Sequence, residues 1–211
     1  DLVFAGWESN FTAEGAGDRA ELESLGIASY VSPAACRSAD VPGPLTFDSL
    51  FGEITEAGEL LGAQDAAADV IAQQREMLKG VTPSTAGLTA AWYSSGRETP
   101  YMGADTGAPQ MVMDALGLTN IFGDHAEAWL SVGWERVIEA SPDVIVLVEC
   151  PGNTIAAKIE LLKADPVLSK LKAVQNDSFL TIPFAAGEAG VRTVPAVLDL
   201  AAQLQALGLE G

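Results

Sequence analysis

From residue 88 onward, short apolar runs alternate with amphipathic stretches, and this alternation restricts the possible folds more than any other feature of the chain. LTAAWYSS (88–95) reads as a strand and, after a loop, APQMVMDALG (108–117) reads as a helix. WERVIEAS (134–141) is helical up to Pro142, and DVIVLVE (143–149) is the unbroken apolar run of a strand covered on both faces. AAKIELLK (156–163) and a shorter segment near 166–173 are helical, SFLTIP (178–183) returns to strand, and VPAVLDLAAQLQAL (194–207) closes as a helix. Strands alternating with helices of this length predict βα units and a mainly parallel sheet.

Upstream, DLVFA (1–5) and SYVSP (29–33) read as strands, with a short helix in GDRAELESLGI between them that stops at Gly26. RSADVPGPL (37–45) is a Pro/Gly loop. Phe47, Leu50, Phe51, Ile54, Ala57, Gly58 and Leu61 then recur at three- and four-residue steps after Thr46, a good N-cap. Gly62 interrupts this stripe, which resumes from Ala66 to Leu78 through Val70, Ile71, Gln74 and Met77. The helical stretch separates two strand-bearing regions. The expected organisation is therefore a first lobe in 1–45, a bridging helix over 46–80 and a second lobe in 81–211.

The 211 residues carry 29 Asp+Glu against 11 Lys+Arg, a net charge of −18. Such a surface repels nucleic-acid phosphates and anionic lipid headgroups alike. With 48% hydrophobic residues the chain can bury a substantial core, and no run reaches the ~18 apolar residues of a membrane span. The single histidine, His125, excludes multi-histidine metal sites, and no nucleophile motif accompanies it. Dinucleotide, P-loop, zincin and nucleophile-elbow motifs are all absent. Most acids lie on helix faces beside polar residues and read as solvated surface. An α/β hydrolase built on paired carboxylates is the remaining enzymatic alternative.

Four tryptophans stand out in a chain that is only 7% aromatic. Trp7 follows a strand and Trp129 sits in a loop; both can present a flat face to a ligand or cover the edge of a core. Trp92, within a strand, and Trp134, at a helix start, read as packing. In RETPYMGADTGAPQM, Gly103, Gly107 and Pro109 surround Asp105 and Thr106 just before a helix, so either free amides await an anion or Asp105 or Thr106 caps the helix. In PFAAGEAGVRTVP, Glu188 and Arg192 stand four apart, as ligand contacts or as a local ion pair. Cys36 and Cys150 each lie just past a strand end, as a disulfide or as two separate thiols.

Together, DLVFAGW, ELESLGIASYV, FGEITEAGELLG, YMGADTGAPQMVMDALGLTNIF and AWLSVGWERVIEASPDVIVLV resemble, in order and spacing, the substrate-binding proteins that serve importers of siderophores, haem and cobalamin. The resemblance runs along essentially the whole chain, and its most specific piece is the last. It implies an α/β fold of two lobes with mainly parallel sheets joined by one long bridging helix. It also implies an N-terminal lobe truncated at its start, since the family places further strand–helix units before the segment matching Asp1.

The implied function is that of an extracytoplasmic, periplasmic or lipid-anchored, binding component of an ABC importer rather than an enzyme. Such a protein captures a ferric siderophore or corrinoid as a monomer, without a resident cofactor, and delivers it to a membrane permease. Trp7 and Trp129 match cleft tryptophans of the cobalamin-binding member, and Glu188 and Arg192 match its acidic and basic cleft residues. Tyr30, Tyr101 and Phe184 complete the implied ligand-binding set. Glu135 matches the permease-docking glutamate of the C-terminal lobe, and Glu14 is the N-terminal counterpart. Haem calls for a His or Tyr axial ligand, and His125 lies in a poorly matching loop. A ferric siderophore suits tryptophan stacking with Arg192, Arg97 and Arg37 as counter-charges. GAPQM, TNIF, VGWE and PFAAGEAGVR are also similar to a subgroup proposed to bind a deazaflavin-coenzyme precursor, which stands as the alternative ligand.

Overall fold

The computed structural model describes residues 1–35 and 43–209. It contains two compact units, Asp1–Gly43 and Pro44–Gly211.

In the smaller unit, β1 (Leu2–Ala5) and β2 (Ala28–Val31) pair in parallel, with Leu2 opposite Ala28 and Ala5 opposite Val31. Helix α1 (Arg19–Ser24) connects them, and the Asp18 carboxylate caps it by accepting the Ala20 amide at 2.8 Å. Strand alternation puts Val3, Ala5 and Val31 on one face, where they pack with Phe11, Leu22 and Ile27. Phe4 and Tyr30 occupy the other face, with ring centroids 4.7 Å apart.

The larger unit opens with α2 (Phe47–Leu61) and α3 (Gln64–Lys79). Thr46 caps α2 reciprocally: its hydroxyl accepts the Ser49 amide at 3.0 Å, and the Ser49 hydroxyl accepts the Thr46 amide at 2.9 Å. The stretch expected to form a single bridging helix over 46–80 is thus two helices. Gly62, at φ 65°, ends α2 in the left-handed region that a residue with a Cβ adopts poorly, and α3 packs back along α2.

The remaining strands are β3 (Thr89–Ser95), β4 (Tyr101–Gly103), β5 (Thr119–Asn120), β6 (Trp129–Ser131), β7 (Val144–Glu149) and β8 (Phe179–Pro183). They form one sheet in the order β6-β4-β3-β7-β8, with β5 also beside β3. β3, β5, β7 and β8 run parallel, as the alternation predicts. β4 and β6 add an antiparallel edge that three-residue strands are too short to announce by periodicity. The helices are α4 (Ala108–Leu116), α5 (Trp134–Ala140), α6 (Ile155–Ala164), α7 (Lys172–Gln175), α8 (Phe184–Gly187) and α9 (Thr193–Ala206).

Both faces of the sheet are covered. Trp92, Val146, Val148, Leu180 and Ile182 pack with Val112, Met113 and Leu116 of α4 and with Val197, Leu200 and Leu204 of α9. Tyr93, Ile145 and Leu147 point the other way, onto Val137 of α5, Leu162 of α6 and Val174 of α7. At the starts of the two central strands, the Asp143 carboxylate accepts the Thr89 amide at 3.0 Å and the Thr89 hydroxyl at 2.9 Å, and it pairs with Lys172.

Candidate functional site

Three side-chain clusters in the larger unit hold several of the sequence-derived candidates; the others lie elsewhere in that unit or in the smaller one. The first cluster lies on the antiparallel edge. Tyr101 is opposite Ser131, and Gly103 is opposite Trp129, so Tyr101 and Trp129 project from the same face of neighbouring strands. Their rings stack with centroids 5.7 Å apart and planes inclined by only 13°. Trp129 is therefore a strand residue rather than a loop residue, half-buried with one side against the α4/α9 core. Gly103 permits the close approach of the first turn of α4 to β4. A Cβ on it would fall 2.3 Å from Pro109 Cβ and 3.1 Å from the Trp92 ring.

Beyond Gly103 the edge pairing continues. The amides of Ala104, Asp105 and Thr106 donate to the carbonyls of Ala128, His125 and Glu127 at 3.0, 3.3 and 3.0 Å. The capping alternative for this segment does not hold. Gly107, not Asp105 or Thr106, is the N-cap of α4, and the amides of Asp105 and Thr106 are spent on the pairing instead of facing a ligand. Helix α4 begins in buried Gly107, Ala108 and Pro109.

The second cluster follows β8. Phe184 opens α8 and rests half-buried on the same core cluster as Trp129. Glu188 lies at the end of α8, partly exposed, and Arg192 stands exposed at the start of α9. The loop between them is organised by a residue that carried no sequence signal. The hydroxyl of Thr193, fully buried, donates to the Glu188 carbonyl at 3.1 Å and accepts the Gly190 amide at 3.1 Å. In addition, the Gln74 side chain reaches from α3 and donates Nε2–H to the Val191 carbonyl at 2.8 Å. Gln74 was legible only as a polar residue on the apolar stripe of Val70, Ile71 and Met77.

The third cluster lies near the carboxyl ends of β3 and β7, with Tyr93 on the α5/α6 side of the sheet and Cys150 on the α4/α9 side. Lys158 is fully buried, its ammonium donating to the Val148 carbonyl and lying 5.4 Å from the centre of the Tyr93 ring. Burial holds its pKa below the usual lysine value, with Cys150 and Glu149 acting in the other direction. Burial likewise pushes the Tyr93 phenol up, against a hydrogen bond with Asn153. Cys150 has a free, buried thiol that donates to the Ser94 carbonyl at 3.3 Å. Cys36, the other half of the considered disulfide, and Arg37 lie outside the described residues.

Glu135 is exposed in the first turn of α5, where a carboxylate suits the helix dipole. Its carboxylate folds back over Gly133. Trp134, beside it, donates its indole N–H to the Arg97 carbonyl at 2.7 Å and meets Tyr93 edge-on, and Trp92 is wholly buried, so both serve packing. His125 is partly exposed, with Nε2 3.6 Å from Asp124. In the smaller unit Trp7 is 42% exposed and starts a single 3-10 turn at Glu8–Asn10, Tyr30 packs against Phe4 with the rings tilted by 32°, and Glu14 is exposed in a turn. Among the described residues no three His, Cys, Asp or Glu side chains converge as a metal site, and no helix is long and apolar enough to cross a membrane.

The sequence profile of the family described as periplasmic binding protein matches residues 31–186, well over half of the chain. The chain belongs to that family. No curated protein matches it. Its fold is similar to that of a periplasmic binding protein from Veillonella parvula, with 22% identity and a TM-score of 0.81 over 96% of this chain and 70% of that one. It is also similar to a protein of an ABC-type Fe3+-hydroxamate transport system from Saccharomonospora viridis, with 26% identity, a TM-score of 0.82, and 97% and 68% of the two chains covered. The periplasmic vitamin B12 binding protein of Vibrio cholerae shares 21% identity with a TM-score of 0.65, over 99% of this chain and 75% of that one. The family is one of extracytoplasmic binding proteins that serve transport systems.

Proposed function

We propose that this protein captures a ferric siderophore, or a corrinoid of comparable size, and hands it to the permease of an ABC importer at the outer side of the cytoplasmic membrane. The observation that carries this reading is the stacked Tyr101–Trp129 pair. It offers a rigid aromatic surface on the same core face as Phe184, with Glu188 and Arg192 on the loop that follows. Such a surface favours a broad ligand with apolar flanks, while the planar guanidinium of Arg192 suits its oxygen-rich, negatively polarised groups. The Fe3+-hydroxamate transport system to which the Saccharomonospora viridis protein belongs favours the ferric chelate. Exposed Glu135, and Glu14 in the smaller unit, are assigned to permease docking, and the protein acts as a monomer, free or lipid-tethered.

Titration with ferrioxamine B, cyanocobalamin and haemin, followed by tryptophan fluorescence, tests the reading. Saturable quenching by ferrioxamine B or cyanocobalamin is expected. Trp129→Ala should weaken that binding by about tenfold, the equivalent of the upper part of an aromatic contact of ~0.5–1.5 kcal/mol. Binding of neither ligand, or unchanged affinity in Trp129→Ala, would sink the proposal.

A further inference from the structure

Gln74 occupies a place where an apolar side chain would be expected. It is 5% exposed on the inner stripe of α3, and its Oε1 is buried without a hydrogen-bond partner. A buried carboxamide left half satisfied is unfavourable relative to an apolar side chain of the same size. What it does accomplish is specific: Nε2 donates at 2.8 Å to the carbonyl of Val191, a residue 117 positions away. Val191 is itself half exposed and immediately precedes exposed Arg192. Inside the loop, Thr193 ties down only Glu188 and Gly190 through its side chain. Gln74 thus supplies the side-chain anchor at the Val191 end, next to the guanidinium-bearing residue.

We infer that Gln74 is a positioning residue: by fixing the Val191 carbonyl it holds the 188–192 loop in one conformation, so that Glu188 and Arg192 meet ligand already ordered. Helix α3 thereby becomes part of the binding apparatus without touching ligand. The gain is pre-organisation, since a loop ordered in advance loses less freedom when ligand arrives. The inference rests on the assignment of Glu188 and Arg192 as ligand contacts.

Gln74→Met keeps the volume and removes the donor. Hydrogen exchange of the unliganded chain reads the anchor directly: the segment 188–193 should exchange several-fold faster, while the thermal midpoint stays the same or rises. Affinity for whichever of ferrioxamine B, cyanocobalamin and haemin the wild type binds should fall by about two- to tenfold, the equivalent of one hydrogen bond. Gln74→Glu adds a readout that simple packing would not produce. Its protonated carboxyl regains a donor, so affinity should recover as pH falls through the carboxyl titration, and Gln74→Met should show no such recovery. Unchanged exchange at 188–193 in Gln74→Met overturns the positioning role whatever the ligand. Faster exchange with unchanged affinity overturns its connection to binding. If none of the three probes binds the wild type, the functional reading fails, and the exchange experiment still decides whether Gln74 anchors the loop.

Discussion

Replacing Asp143 removes the clamp that joins the first residues of the two central strands. In the wild type one carboxylate oxygen accepts both the amide and the hydroxyl of Thr89, at 3.0 and 2.9 Å, and the other pairs with Lys172. A hydrogen bond to a charged group contributes ~1.5–3 kcal/mol, but the Asp143 side chain retains 20% exposure, so the two together are worth ~2–3 kcal/mol. Lys172 is 63% exposed, and its ion pair adds less than ~1 kcal/mol. For a chain of this size a total of ~2–4 kcal/mol means that Asp143→Ala should lower the melting temperature by about 4–16 °C. Asp143→Asn, which keeps an acceptor for Thr89 but loses the charge, should lose roughly half as much.

The pH dependence follows from the carboxyl pKa, which the Lys172 hydrogen bond and then the Thr89 amide hold below the ordinary value of 3.8. A carboxyl with a depressed folded pKa contributes stability that is fully present above the unfolded value and is lost as pH falls through the folded one. The gap between wild type and Asp143→Asn should thus be full at pH 6–7 and shrink below about pH 3.8. Urea unfolding followed by circular dichroism at several pH values reads it. Equal stability of the two proteins at pH 7, or a gap that does not change with acid, would refute the reasoning.

Thr193→Val preserves shape in a fully buried position but removes the hydroxyl that organises the 188–190 turn. Faster exchange of the Gly190 amide and a loss of about 1–2 kcal/mol are expected, and an unchanged Gly190 exchange rate would contradict the assignment. Glu135→Gln should leave ligand affinity in solution unaltered and reduce transport in cells that carry the cognate permease; unimpaired transport would remove Glu135 from the docking surface.

Much of the parallel core was legible in the sequence because its strands are long, apolar and separated by amphipathic helices; DVIVLVE and VPAVLDLAAQLQAL became β7 and α9 within a residue or two of their expected limits. The antiparallel edge was not legible. Tyr101–Gly103 and Trp129–Ser131 are three residues each, and what makes them strands is pairing with each other and with β3. The Gly62 interruption was visible as a residue, but its consequence, α3 folding back on α2, depended on the contact between the two helices.

The candidate site divides along the same line. Glu188, Arg192 and Trp129 could be named as candidates from residue type and order, since charge, planarity and family-like spacing are local properties. The stacking of Tyr101 on Trp129 and the use of the Asp105 and Thr106 amides in pairing are properties of cross-strand register. The anchoring of the 188–192 loop by Thr193 and Gln74 belongs to tertiary packing, and Gln74 meets Val191 only because α3 lies beside α9. By itself the sequence determined the alternation of elements, the acidic surface and the chemical types available at the site. Tertiary structure alone decided which of those groups touch, because hydrogen bonds and ring contacts act over a few ångströms between residues that the chain holds far apart in order.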